Sequence, residues 1–299
     1  MMESNAPFFI LGAQRSGTTM LRLMLNQHSR LAVPHETGFI TTFYHRLVEY
    51  GDLADRANAE RLLDAIAQHP LVRRGNHIPD RARVLERPIS DFRSLVDAIL
   101  SAYAESLGKR RWGDKTPYYT PDIDLLWKIF PGTKFVHLVR DGRDVLLSQR
   151  KIEWLSNNVP RLAQDWRWKT TICHKVGSVL GPEHYLELRY EDLVREPEKQ
   201  LSEICTFLGE DFEPAMLEYH RQATDVVPEE SLKWHRNSVQ APTEAKLFKW
   251  KEKLSTADRT IYEQNAGDTL ALFGYELEGR PSSLSSKLHA AYYALFKRW

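Results

Sequence analysis

The stretch FFILGAQRSGTTMLRLML, starting at Phe8, constrains the fold of this chain more than any other. Four apolar residues, Phe8 to Leu11, read as a short, fully buried strand. A glycine-rich loop follows, then a helix from Thr18 to about Gln27, with Leu21, Met24 and Leu25 at helical spacing and Arg22 and Asn26 facing away. Strand, glycine-rich loop, helix is the setting in which a phosphate-loop match carries weight. Gly12, four residues, Gly17 and two hydroxyl side chains reproduce the spacing of G-x-x-x-x-G-K-[ST], except that Thr18 stands where the lysine belongs. The nearest cation is Arg15, inside the loop.

Backbone N–H groups at a helix N-terminus bind an anion through aligned donors and the helix dipole. Gly12 and Gly17 are expected to let the backbone curl close to that anion with no Cβ in the way, and Ser16, Thr18 and Thr19 add hydroxyl donors. In an ATPase or GTPase the lysine reaches the β- and γ-phosphates and the next hydroxyl holds Mg²⁺. Here that lysine is missing, as are a strand ending in a metal-binding Asp and a guanine-reading NKxD. A sulfuryl group carries less charge than a γ-phosphoryl, so positioned cations can replace Mg²⁺. That makes 3′-phosphoadenosine 5′-phosphosulfate (PAPS) a sensible occupant, with no metal. The alternative, a P-loop small-molecule kinase using ATP and Mg²⁺, requires the absent lysine.

Two later segments repeat the plan. KFVHLVRDGRDVLLSQRK reads as a strand from Phe135 to Val139 and a helix from Val145 onward. YLELRYEDLVREPEKQLSEICTFLG reads as a strand from Tyr185 to Tyr190 and a helix from about Pro197. Strands alternating with helices predict an α/β, P-loop-like three-layer fold, its central parallel sheet covered by helices on both faces. Ligands of such sheets sit outside the carboxyl ends of the strands. Residues 37–110 read as a helical insertion, with Ser90 capping its clearest helix. A further short helix starts at Pro121 and stops at Pro131-Gly132. Phe39, Phe43, Tyr44, Tyr118 and Tyr119 either line an acceptor site on this side or pack the core. Residues 1–280 form one domain in this reading. Residues 281–299 form a basic amphipathic helix that either docks on the domain or makes a peripheral membrane contact through 284–299.

With 299 residues and a net charge of +1, the chain can bury a full core and gives no electrostatic case for nucleic acid. No apolar run approaches the roughly 18 residues of a membrane span. Two cysteines, Cys173 and Cys205, with no export signal, suggest reduced thiols and a cytoplasmic protein.

GAQRSGTTMLRLML resembles the 5′-phosphosulfate loop of PAPS-dependent sulfotransferases, and its Arg-Ser-Gly-Thr-Thr form is similar to that of tyrosylprotein sulfotransferases and their bacterial relatives. The resemblance implies sulfuryl transfer from PAPS to a hydroxyl or phenol acceptor, and it continues at three places in the family's order. VPHETGF puts Glu36 twenty-one residues after Arg15, where these enzymes carry their general base. WGDKTPYY supplies Lys115, matching lysines that stabilise charge on the leaving oxygen. Asp114 either orients Lys115 or caps the helix near Pro121. VRDGRDVLLSQRK supplies Arg140 and, eight residues on, Ser148, matching the pair that clamps the 3′-phosphate. Arg143 reads instead as a partner of Asp141 or Asp144. Tyr190 matches a tyrosine near the 3′-phosphate or is a plain strand-end aromatic. HRNSVQAPTEAKLFKW resembles the late cofactor-covering loop, with Ser238 and Lys249 as ligands. The chain departs from the pattern at Ile152, where the tyrosylprotein enzymes place a further arginine.

Overall fold

The computed structural model describes residues 6–152, 157–221 and 239–278. Five strands, β1 (Phe8–Leu11), β2 (Leu31–Ala32), β3 (Arg111–Asp114), β4 (Lys134–Val139) and β5 (Tyr185–Arg189), form one sheet in the order β2-β3-β1-β4-β5. Every pairing is parallel, with Phe8 opposite both Gly113 and Lys134. The central position of β1 follows from its sequence: FFIL is fully buried, as a strand covered on both faces must be. Its side chains alternate between two cores. Phe9 and Leu11 join the cluster built with Trp112, Phe135 and the helices between β2 and β3. Phe8 and Ile10 join the opposite cluster, with the helices Thr18–Leu25 and Pro197–Leu208. A third cluster, around Val139, Trp166, Trp250 and Tyr262, closes the β4 end. The layered α/β class expected from the sequence is the fold observed.

Details differ where tertiary bonds outweigh local pattern. All eight residues of the Thr18–Leu25 helix are buried, Arg22 included, because its Nη1 donates to Val33 O at 3.2 Å. Asp91 rather than Ser90 caps the Phe92–Ser106 helix: its carboxylate accepts from Ser94 N at 2.7 Å, while Ser94 Oγ accepts from Asp91 N at 3.0 Å. The helix after β4 begins at Gly142, three residues before the expected start, with the Asp141 carboxylate accepting from Arg143 N at 2.9 Å. Tyr190 does not end β5 but opens the helix Tyr190–Arg195. Pro121 lies inside a 3₁₀ turn, Pro117–Asp122, that feeds the helix Ile123–Ile129.

Residues 37–110 are helical, with Phe39–Tyr44, Arg56–Ala67, Pro70–Gly75, Arg81–Leu85 and Phe92–Ser106 placed between β2 and β3. Of the aromatic residues there and beside it, Phe39, Phe43 and Tyr119 pack into the core; Tyr118 is exposed. Cys173 and Cys205 are buried free thiols. No helix among the described residues is long and apolar enough to cross a membrane. The segment 281–299 lies outside the described residues.

Candidate active site

In a parallel sheet all carboxyl ends share one edge, and here each is followed by candidate residues. The Gly12–Thr19 loop follows β1, Glu36 lies just past β2, and Lys115, Arg140 and Tyr190 directly follow β3, β4 and β5. The chain crosses from β3 to β4 over β1, so the loop sits at the switch point where ligands of such sheets bind.

The loop's shape is set by its backbone. Arg15 adopts a left-handed conformation at φ 75°, and Ser16 N donates to Ala13 O at 3.1 Å. No side chain caps the following helix, whose first-turn N–H groups are therefore donors for an anion. The glycines are also required by packing. A Cβ on Gly12 would come 2.6 Å from the Leu138 carbonyl oxygen, and one on Gly17, at φ 93°, would come 2.3 Å from the Tyr190 ring. Thr120, for which the sequence carried no signal, ties the loop down: Gly12 N donates to Thr120 Oγ1, which donates to Gly12 O, both at 2.9 Å.

Around the loop the structure gathers Arg15, Ser148, Arg140 and Tyr190. Arg15 Nε donates to Ser148 Oγ at 3.0 Å. Arg140 Nη1 donates to Arg15 O at 3.3 Å, Nη2 lies 3.7 Å from Asp144, and the guanidinium sits 4.5 Å over the Tyr190 ring. Burial, then the charge of Arg140, lowers the pKa of Arg15, with Glu36 offsetting part of this. Ser16 Oγ and Arg140 Nε are buried with no hydrogen-bond partner among the described residues.

The second group is an ion pair. Lys115 Nζ donates to Glu36 Oε1 at 2.7 Å and to Thr19 Oγ1 at 3.3 Å. The lysine side chain is 1% exposed, and burial lowers its pKa while Glu36 opposes the shift. Asp114 neither caps a helix nor bonds Lys115. Fully buried, it accepts the hydroxyls of Thr37 and Thr116. Arg143 pairs with Asp141, as expected, and also with Glu263 at 2.6 Å.

Other candidates stand apart. Lys249 bonds Glu252 at 3.1 Å and no member of the cluster among the described residues. Ser238 lies outside the described residues. At the position where the resemblance implies a further arginine, Ile152 is buried, and the neighbouring Arg150 is engaged with Asp258 at 2.9 Å.

A parallel α/β sheet whose strand ends surround a P-loop-like turn lacking the lysine defines the class of fold, and comparison narrows it. Residues 7–214 match the sulfotransferase family, and the chain belongs to it. Nodulation protein NoeE of Sinorhizobium fredii is 26% identical over 223 residues, 68% of this chain and 50% of that protein. Protein-tyrosine sulfotransferase 2 of Gallus gallus is 26% identical over 212 residues, 67% of this chain and 50% of that protein. The chain thus spans about half the length of these curated relatives. The sulfotransferase domain of the Synechococcus PCC 7002 olefin synthase superposes with a TM-score of 0.62 at 26% identity, covering 91% of this chain and 96% of that domain.

Proposed function

We propose that this chain is a sulfotransferase that moves a sulfuryl group from PAPS to the hydroxyl or phenol of an acceptor, without a metal. The observation that carries the reading is the position of Lys115 Nζ, 2.7 Å from Glu36 and 3.3 Å from Thr19 of the anion loop. A carboxylate, an ammonium and a helix N-terminus meet there, as base, charge stabiliser and anion holder must for such a transfer.

The residues present fit such a donor. Ser16 Oγ, Arg140 Nε and the uncapped first turn are buried or oriented donors suited to anionic oxygens. An anion also relieves the repulsion between Arg15 and Arg140. In this reading Gly12, Arg15, Ser16, Gly17, Thr18 and Thr19 hold the 5′-phosphosulfate. Arg140 and Ser148 hold the 3′-phosphate, with Tyr190 packed under Arg140. When bound, the donor supplies the sulfuryl group. Glu36 Oε takes the proton of the acceptor oxygen as that oxygen gains its bond to sulfur. Lys115 and Arg15 offset the charge that grows on the oxygen released. The transition state is loose, so positioning and charge compensation carry most of the catalysis. The buried free thiols fit a reducing, cytoplasmic setting.

Calorimetric titration in EDTA tests the donor. Binding of 3′,5′-adenosine bisphosphate that is lost with 5′-AMP and weakened by Arg140→Ala is the expected result. Preference for ATP with Mg²⁺ would overturn it in favour of a kinase.

A further inference from the structure

Asp114 is a fully buried carboxylate at the carboxyl end of β3 whose neighbouring lysine is committed to Glu36. Burying a carboxylate without a cation of its own is costly, and an apolar or amide residue would serve packing better. What the carboxylate adds is direction, because it only accepts hydrogen bonds. Two donor chains end on it. In one, Ile40 N donates to Tyr119 OH at 2.9 Å. That hydroxyl lies 3.1 Å from Thr37 Oγ1, which donates to Asp114 Oδ2. In the other, Thr37 N donates to Thr116 Oγ1 at 3.0 Å, and Thr116 Oγ1 donates to Asp114 Oδ1 at 2.8 Å. Because Thr37 donates to Asp114, the Tyr119 hydroxyl is left to donate to Thr37 or to Thr116, both of which donate on to Asp114. Either way the hydroxyls of the seam run toward the carboxylate. Thr37, Thr116 and Tyr119 are almost completely buried, so water does not compete.

The seam's neighbours in sequence are the residues that matter. Glu36 precedes Thr37, Lys115 lies between Asp114 and Thr116, and Thr120, next to Tyr119, holds Gly12 of the anion loop. We propose that Asp114 is a positioning residue: through Thr37, Thr116 and Tyr119 it fixes the Glu36 loop against the Lys115 strand end and ties both to the anion loop. The inference rests on the roles proposed above for Glu36 and Lys115. Burial pushes the Asp114 pKa up to about 6, with the two hydroxyl bonds and the nearby Lys115 charge opposing only in part, which accords with a carboxylate whose direct hydrogen-bond partners are neutral hydroxyls.

The test uses the full chain with Asp114→Asn, Thr37→Val and Thr37→Ser. Asparagine keeps the shape but presents a donor to one hydroxyl, forcing that chain to reverse. Three readouts are compared: hydrogen exchange of the Thr37, Gly38 and Ile40 amides, affinity for 3′,5′-adenosine bisphosphate, and sulfate transfer from PAPS to 2-naphthol. Exchange at these amides should rise about tenfold in Asp114→Asn and Thr37→Val, as loss of a buried hydrogen bond implies. Transfer should fall about 10²-fold, the cost of a small misplacement, while bisphosphate affinity stays within about threefold. Thr37→Ser, which keeps the hydroxyl, should behave as wild type. Unchanged transfer, or transfer and affinity falling together, would overturn the positioning role. If the wild type neither binds the bisphosphate nor sulfates 2-naphthol, the donor reading fails. The ligand-free exchange data then decide the seam alone, and unchanged exchange in Asp114→Asn sinks it.

Discussion

The two halves of the sheet are built on different principles. β1, β4 and β5 are runs of four to six residues, FFIL, KFVHLV and YLELR, and each is followed by residues proposed above to hold an anion. β2 is two residues, LA, and β3 is RWGD, half of it charged. Yet Glu36 and Lys115, the groups proposed to meet the acceptor and the leaving oxygen, belong to that second half. The gripping half holds its shape through backbone conformation and apolar burial, with long-range side-chain bonds from Thr120 to Gly12 and from Arg15 to Ser148 pinning the loop. The reacting half holds its shape through side-chain hydrogen bonds between residues far apart in sequence, such as Thr37 and Asp114, 77 positions apart. Gripping an anion needs donors at a helix N-terminus, which a short local motif can supply. Aligning a base with a lysine needs two loops locked together, which no local motif supplies.

The sharpest way to separate the halves is to remove one function from each. Glu36→Gln should lower transfer by about 10²–10⁴-fold, the range for general-base assistance, with bisphosphate affinity barely moved. If rate and affinity both stay unchanged in that variant, Glu36 has no role and the division collapses. Arg140→Ala should give the reverse pattern. Bisphosphate affinity should drop about 10–10²-fold in calorimetry, since a hydrogen bond to a charged group contributes about 1.5–3 kcal/mol. The rate at saturating donor should change much less. Gly17→Ala acts on the frame of the gripping half. Its Cβ would meet the Tyr190 ring at 2.3 Å in a backbone conformation, φ 93°, that side chains rarely adopt. Strain of about 1–3 kcal/mol should appear as a lower melting temperature, together with weaker bisphosphate binding. A Gly17→Ala protein as stable as wild type would mean that Tyr190 swings away freely and does not back the loop.

The same division explains what the sequence disclosed. β1 was legible to the residue, because an apolar quartet between a polar leader and a glycine leaves one reading. β4 was read within one residue for the same reason. β3 was not read as a strand, because its burial depends on distant partners: Arg111 donates to Ala6 O and Leu208 O, and Asp114 accepts from Thr37 and Thr116. Helical periodicity puts Arg22 on an outer face because it cannot foresee the bond from its guanidinium to Val33 O. Glu36 and Lys115 stood out only through family resemblance, since a lone acidic or basic loop residue carries no local mark. Thr37 and Thr116 stand inside the matching motifs with no role of their own, and Thr120 carries no mark at all. A threonine hydroxyl gains meaning only when the fold supplies its partner.

A last contrast lies on either side of β1 and β4, where β3 carries a fully buried carboxylate and β5 a partly buried one. Burial pushes Asp114 of β3 up from 3.8 to about 6, the hydroxyls of Thr37 and Thr116 and the charge of Lys115 opposing only in part. Burial also pushes Glu187 of β5 up, but hydrogen bonds from His137, the Tyr185 hydroxyl and His174 outweigh it and bring the group down from 4.5 to about 2. Linkage gives these shifts opposite signs. Between about pH 4 and 6 the folded chain keeps the Asp114 proton that the unfolded chain has released, so this group makes stability fall as pH rises. Between about pH 4.5 and 2 the unfolded chain takes up the Glu187 proton first, so that group's stabilisation is lost as pH falls. Each slope is at most about 1.4 kcal/mol per pH unit. Denaturant unfolding from pH 3 to 7 should therefore show the first slope flattened in Asp114→Asn with the second intact, and the converse in Glu187→Gln. An Asp114→Asn profile parallel to wild type would mean that the β3 carboxylate titrates alike in both states. Hydrogen-bond geometry alone, rather than burial of charge, would then distinguish the two halves.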